Sequence, residues 1–287
     1  MRIGYLGPEG TFSHEVASAG AAAGDELVAL PTNHDVVVAV QAGTVERAVA
    51  PVENLIDGAV TAVLDALAFE APEVSIVGED IALVRHVLCA AEQLALEDVT
   101  AVSSHPVALA QCGVFLRERL THAELRPAAS TAEAVRSVAG TCAAIGTASA
   151  AARYGATVLV AGIEDEADNR TRFAWLARGG VEISDGPGIK TSLIFDGAGD
   201  GSPGWLVRCL SEFAFRGVNL TRIESRPSRR RLGHYVFHVD CDGHRGSEPV
   251  AGAIEALGRH CEEVRVLGTY AAATATIRDG HGGNHST

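Results

Sequence analysis

The sequence predicts an α/β protein of two units: two α/β lobes around a cleft, followed by a smaller ferredoxin-like βαββαβ unit. Three observations carry that expectation. Over residues 1–180 short apolar runs alternate with longer stretches of helical period, which argues for strands joined by helices and for mostly parallel sheets. A stretch rich in glycine and turn formers, Gly179 to Gly188, then interrupts the pattern. Beyond it the order becomes β-α-β-β-α-β within roughly 80 residues.

In the first unit, strand-like runs fall at Arg2–Leu6, Glu26–Leu30, Arg47–Val52, Val74–Val84, Val99–Ser103, Ala123–Pro127, Cys142–Gly146, Thr157–Val160 and Arg172–Arg178. Helical patterns lie between several of them. Ser13 precedes one, and Ser130-Thr131-Ala132-Glu133 is a capping box that opens another. The long run near residues 74 to 90 is a candidate crossover between lobes. In the second unit, strands are expected at Thr191–Phe195, Val218–Ser225, His234–Asp242 and Val264–Tyr270, with helices at Pro203–Arg216 and Glu248–Cys261. The domains are therefore 1–180 and 190–270, joined by a linker at 181–189. Residues 271–287, poor in apolar side chains, are expected to form a disordered tail.

Composition narrows the chemistry. The 287 residues carry 23 Lys+Arg against 36 Asp+Glu, a net charge of −13 at 47% hydrophobic content, ordinary for a soluble globular chain. The single lysine, Lys190, stands at the start of a strand, so neither a P-loop nor a lysine Schiff base is expected. Strong acidity argues against nucleic acid as the main partner. No stretch approaches the ~18 apolar residues of a membrane helix, and the N-terminus reads as a strand without an export signal, so no membrane partner and a cytoplasmic location are expected. Six scattered cysteines without ligand spacing read as free thiols, and no metal site is expected.

Three segments place polar groups at element ends, where α/β folds keep ligands. Gly7-Pro8-Glu9-Gly10-Thr11-Phe12-Ser13-His14 runs from a strand into a helix, and its glycines, hydroxyls and exposed N–H groups suit an anion. Ala50-Pro51-Val52-Glu53-Asn54 ends a strand with an amide that either forms its own turn or faces a ligand. The third combines Ser103-Ser104-His105-Pro106, the following helix with Gln111 beside its apolar stripe, and Asn169-Arg170-Thr171-Arg172-Phe173. The arginines of that last stretch suit a carboxylate ligand or, equally, a solvated salt-bridged loop.

Together these motifs resemble those of the prephenate dehydratases. Gly-Pro-Glu-Gly-Thr-Phe-Ser-His at 7–14, Pro-Val-Glu-Asn at 51–54, Ser-His-Pro with Ala-Gln-Cys at 104–112, and Asn-x-Thr-Arg-Phe at 169–173 occur in that family's order. Gly217-Val218-Asn219-Leu220-Thr221-Arg222-Ile223-Glu224-Ser225-Arg226-Pro227 resembles the ACT regulatory domain that follows them, so the likeness spans roughly residues 2 to 270. It implies a two-lobed periplasmic-binding-protein-like catalytic domain and an ACT domain. It also implies decarboxylative dehydration of prephenate to phenylpyruvate in phenylalanine biosynthesis, with no cofactor.

By motif position the resemblance makes Thr171 the critical hydroxyl, with Asn54 and Gln111 as neutral polar groups of the same site. Thr11, Ser104, His105, Arg172 and Phe173 are expected to bind substrate, and positive charge for the dianion is expected at Arg170, Arg172 and helix N-termini. ACT domains commonly pair and bind an amino acid at the interface. The implied effector is L-phenylalanine, the implied assembly a homodimer or homotetramer, and the implied effector elements Gly204, Trp205, Leu206, Asn219, Leu220, Glu224, Ser225, Arg226 and Pro227. Trp205, where the family has alanine, is expected to reshape or partly fill that pocket. Leu55, Ala59 and Val107 replace polar residues of the family pattern. That departure leaves two alternatives, a decarboxylase-like variant that keeps the hydroxyl and a non-catalytic amino-acid sensor.

Overall fold

The computed structural model describes residues 1–197 and 201–273, so most of the expected tail lies outside the described residues. Lobe 1 is built from β1 (Arg2–Leu6), α1 (Phe12–Gly20), β2 (Glu26–Leu30), α2 (Asn33–Gln41), β3 (Arg47–Asn54), the short β4 (Gly58–Ala59), α3 (Thr61–Phe69) and β5 (Val74–Leu83). The chain then crosses into lobe 2 through residues 84–86. There follow β6 (Val87–Ala90), β7 (Ala101–Ser104), α4 (Pro106–Gln111), α5 (Gly113–Arg119), β8 (Glu124–Pro127), α6 (Thr131–Arg136), β9 (Cys142–Gly146), α7 (Ala148–Tyr154) and β10 (Thr157–Ala161). It returns to lobe 1 as β11 (Arg170–Arg178).

The sheets are mixed rather than mostly parallel. In lobe 1 the order is β2-β1-β3-β11-β5, with β1 parallel to β2 and β3 but β11 antiparallel to both neighbours. In lobe 2 the order is β10-β6-β9-β7-β8, and β6 runs antiparallel to β9 and β10. The reason is topological. A chain that crosses between lobes twice must bring its return strand back against the strands it left. The expected single run at Val74–Val84 accordingly ends at Leu83, where the crossing begins.

Local signals behave as their chemistry dictates. Ser130 accepts the Glu133 N–H at 3.0 Å and caps α6. Thr11, two residues before the serine singled out from the sequence, caps α1 by accepting the His14 N–H at 3.2 Å. The helix expected after Pro106 is broken into two at Cys112-Gly113, which leaves Gln111 at a helix end.

The C-terminal unit comprises β12 (Ile189–Asp196), α8 (Trp205–Ala214), β13 (Leu220–Pro227), β14 (Tyr235–Asp242), α9 (Glu248–Leu257) and β15 (Glu263–Ala271). Its antiparallel sheet has the order β13-β14-β12-β15, the split βαβ arrangement with both helices on one face. The other face packs on lobe 1. Ile194, Val236, Leu267 and Tyr270 join Val36, Leu67 and Leu176 in one apolar core. The approach is close where β15 meets β5: a side chain at Gly268 would collide with the carbonyl oxygen of Ile76.

Two outcomes follow for stability. Gly268→Ala overpacks the contact between units and is expected to cost about 1–3 kcal/mol, seen by calorimetry as a drop of several °C in unfolding midpoint; an unchanged midpoint would show that β15 has room to spare. His238, buried on β14, is held down to about 3 first by burial and then by Arg222. The unfolded chain takes up that proton near pH 6.5, so between about pH 6.5 and 3 the unfolded state binds more protons. Stability should therefore fall on acidification, by at most about 1.4 kcal/mol per pH unit from this group. Denaturant titrations at pH 7 and 5 measure the loss, and His238→Asn should shrink it.

Candidate active site

A cleft of about 370 Å³ lies between the lobes. Its walls are the β1–α1 loop with Thr11 and Phe12, the turn after β3 with Asn54 and Asp57, His86 on the crossing segment, His105 and Gln111 of α4, and Thr171 and Phe173 of β11. Five segments that are far apart in sequence thus meet at one place, between the two lobes.

Asn54 organises one side. Its Oδ1 accepts the backbone N–H groups of Ile56 and Asp57, both at 2.9 Å, which closes the turn. Its Nδ2 donates to Asn169 Oδ1 at 3.0 Å and to Thr171 Oγ1 at 3.0 Å. The oxygen of Asn54 thus makes the turn, while its amide nitrogen is directed to Asn169 and Thr171. Because the Thr171 oxygen receives that bond, its own hydrogen remains available to a ligand in the cleft.

Gln111 organises the other side. Its Nε2 donates to Asp57 Oδ2 at 2.8 Å, bridging lobe 2 to lobe 1. Its Oε1 pairs with His86 Nε2 at 3.2 Å. Burial holds the His86 ring below the ordinary histidine range, so it is neutral and gives Gln111 a hydrogen rather than a charge. Phe12 packs edge-on against the ring at 5.7 Å between centroids. Thr147 Oγ1 donates to the Gly10 carbonyl at 3.0 Å, and the Tyr154 hydroxyl donates to that of Glu9 at 2.8 Å, so the far end of the cleft is also tied across the lobes. His86 and Asp57 were not singled out from the sequence; their partners stand 25 and 54 positions away.

The remaining expected substrate groups divide. Phe173 lines the cleft. His105 lines it too, and its Nδ1 accepts the Val107 N–H at 3.3 Å, which leaves the hydrogen of a neutral ring on Nε2. Thr11 lines the cleft, but its oxygen is engaged with His14 and its hydrogen lies between the Leu6 and Pro8 carbonyls at 2.9 and 3.0 Å. Ser104 does not reach the cleft: it is fully buried and donates to the Ile145 carbonyl at 2.6 Å. Arg172 does not reach it either. Successive side chains on a strand point to opposite faces, so Thr171 faces the cleft while Arg172 is directed toward the C-terminal unit, meeting Asp240 of that unit and Glu53 and Glu79 of lobe 1. Arg170 pairs with Asp168 at 3.5 Å outside the lining. The cleft is therefore lined by no arginine or lysine among the described residues, and the attraction left for an anion comes from neutral donors and the N-terminus of α1. Of the departures from the family pattern, Ala59 and Val107 line the cleft, whereas Leu55 is exposed and does not.

The expected effector residues are likewise split. A depression of about 450 Å³ in the C-terminal unit is lined by Gly204, Trp205 and Leu206 together with Tyr235 and Phe237. Trp205 is a wall of this depression rather than a plug, since its indole packs inward against Phe195 and Phe237 and donates to the His260 carbonyl at 2.7 Å. Asn219, Leu220, Glu224, Ser225, Arg226 and Pro227 lie outside it on or beside β13, an edge strand. Asn219 bonds Asp242 at 2.8 Å, and Arg226 pairs with Asp65 of α3 at 2.8 Å.

Known proteins share both units. The family model for prephenate dehydratase matches residues 3–180. The prephenate dehydratase of Mycobacterium leprae is 40% identical over 286 residues, covering 96% of this chain and 88% of the relative. A prephenate dehydratase from Arthrobacter aurescens, solved in complex with L-Phe, superposes with a TM-score of 0.88 at 35% identity, covering 97% of this chain and 92% of that one. GqqA, described as a novel type of quorum-quenching acylase, superposes with a TM-score of 0.81 at 29% identity, covering 95% and 98%.

Proposed function

This chain belongs to the prephenate dehydratase family, and from that premise we propose that its cleft converts prephenate to phenylpyruvate in the cytoplasm, on the route to L-phenylalanine. Prephenate carries a ring carboxylate and, across the ring, a hydroxyl. As the carboxylate leaves as carbon dioxide, its electron pair passes through the ring and expels the hydroxyl, which takes up one proton and departs as water. The ring becomes aromatic, and that gain supplies much of the driving force. The protein has only to hold the dianion in position, keep water from the leaving carboxylate and hydrogen-bond the departing oxygen.

One observation carries the assignment of roles. The 3.0 Å bond from Asn54 to Thr171 occupies a lone pair of the hydroxyl and leaves its hydrogen free for a ligand in the cleft. Thr171 is then the donor to the leaving oxygen, Asn54 its orienter, and Gln111, held between Asp57 and His86, a second neutral donor. Phe173 gives the ring an apolar wall, and His105 Nε2 and the α1 N-terminus serve the carboxylates. The acylase chemistry attributed to GqqA calls for an activated nucleophile, but here the Thr171 oxygen is bonded to an amide, which takes no proton.

The C-terminal unit acts in this reading as an ACT regulatory domain that binds phenylalanine. The L-Phe complex of the Arthrobacter relative supports this, as does the depression at Gly204–Leu206. The edge of β13, which no strand pairs among the described residues, offers the seam for a homodimer or homotetramer.

Thr171→Val keeps the shape and deletes the hydroxyl, and is expected to lower kcat about 10²–10³-fold with a smaller change in KM. Neutral quenching followed by alkali reads phenylpyruvate as its enolate, whereas a product that kept its hydroxyl would give no such absorbance and would point to the decarboxylase-like alternative. Wild-type turnover by the variant would remove Thr171 from this role. Millimolar phenylalanine is expected to inhibit and to shift the sedimentation coefficient; a protein that binds phenylalanine yet never consumes prephenate would be a sensor.

A further inference from the structure

β11 and β3 pair in a register that sets two functions back to back. Thr171 stands opposite Asn54, and the next pair, Arg172 opposite Glu53, projects from the other face. The first pair lines the cleft. In the second, Arg172 is buried in a cluster completed by the C-terminal unit while Glu53 sits at its half-exposed rim: Arg172 Nη2 lies 2.7 Å from Asp240 Oδ2, its Nη1 3.0 Å from Glu79, and its Nε 3.2 Å from Glu53. Lys190 holds the other oxygen of Glu79 at 2.7 Å, and Arg222 stands 3.8 Å from Glu53 and 3.9 Å from Asp240. Asp240 is itself fixed, since Ser192 donates to its Oδ1 at 2.6 Å.

We propose that Asp240, through Arg172, is a positioning residue for the reaction in the cleft, so that the C-terminal unit sets the placement of the Thr171 hydroxyl. Both strands that carry the Asn54–Thr171 bond are anchored one residue away by the same cluster, Glu53 preceding Asn54 and Arg172 following Thr171. Any displacement of Asp240 is passed to a guanidinium whose every nitrogen is held, and from there along one peptide unit to the catalytic hydroxyl. Arg226 and Asp65 give the same sheet a second grip on lobe 1 through α3, which limits its freedom to slide without turning β11.

This rests on the dehydratase reading, and the test separates the two. Asp240→Asn, nearly isosteric, removes the charge facing Arg172. In the full chain it is expected to lower kcat about tenfold to a hundredfold, as small misplacements of a catalytic group do, with KM within threefold of wild type. The methyl resonance of Thr171 in threonine-labelled protein, assigned by Thr171→Ser, should move with it. Unchanged kcat, or a methyl resonance that stays in place while kcat falls, overturns the proposal. Should Asp240→Asn not fold, Ser192→Ala releases Asp240 more gently and is judged by the same two readouts, with a fall in kcat of at least threefold expected. A wild-type protein that leaves prephenate untouched would end the dehydratase reading, and the Thr171 resonance in the variants would still decide the coupling.

Discussion

Taking an ion out of water costs several kcal/mol, and the cost is recovered only where the partner is close and its remaining lone pairs are bonded. The junction between the two units is arranged around that constraint. Arg172, Arg222 and Lys190 face Glu53, Glu79 and Asp240, and Arg172, Arg222 and Asp240 share a space lined by Tyr270 and Val52. Burial works against both the Arg172 cation and the Asp240 anion, yet each drives the other firmly to its charged form. Lobe 1 brings Arg172 with Glu53 and Glu79, and the C-terminal unit brings Lys190 and Arg222 with Asp240, so one unit has an acid in excess, the other a base, and neither set balances alone. An apolar contact tolerates sliding; this one fixes angle and register.

The cleft follows a different economy. Beside the Asp57 carboxylate, its polar groups are amides, hydroxyls and imidazoles, each oriented by a second group: Thr171 by Asn54, Gln111 by His86 and Asp57, and His105 by the Val107 N–H. Neutral donors of fixed direction suit a reaction whose charge moves across a ring, because they can follow the departing oxygen without holding the substrate dianion too tightly in its ground state.

Much of this was legible in the sequence. Apolar period and turn chemistry gave nearly every strand, and the shift in element order at Gly179–Gly188 marked the second unit. The errors have physical causes. Parallel sheets were expected because local alternation says nothing of a strand that returns from the other lobe. Arg172 was taken for a substrate group because arginines beside Thr171 suit a carboxylate, yet the period of two on a strand already sets Thr171 and Phe173 apart from the residue between them. Ser104 precedes a motif histidine, but at the end of a central strand its hydroxyl has only backbone to bond. His86 and Asp57 had no local signal, since a contact between crossing segments leaves no period to detect.

Lys190, the chain's one lysine, is tucked into the charge cluster with its ammonium against Glu79 and only 13% of its side chain exposed. Lysine-directed reagents would therefore report on that junction alone: the Lys190 ammonium becomes reactive only as the contact between lobe 1 and the C-terminal unit loosens, so its labelling rate clocks the opening of the two units.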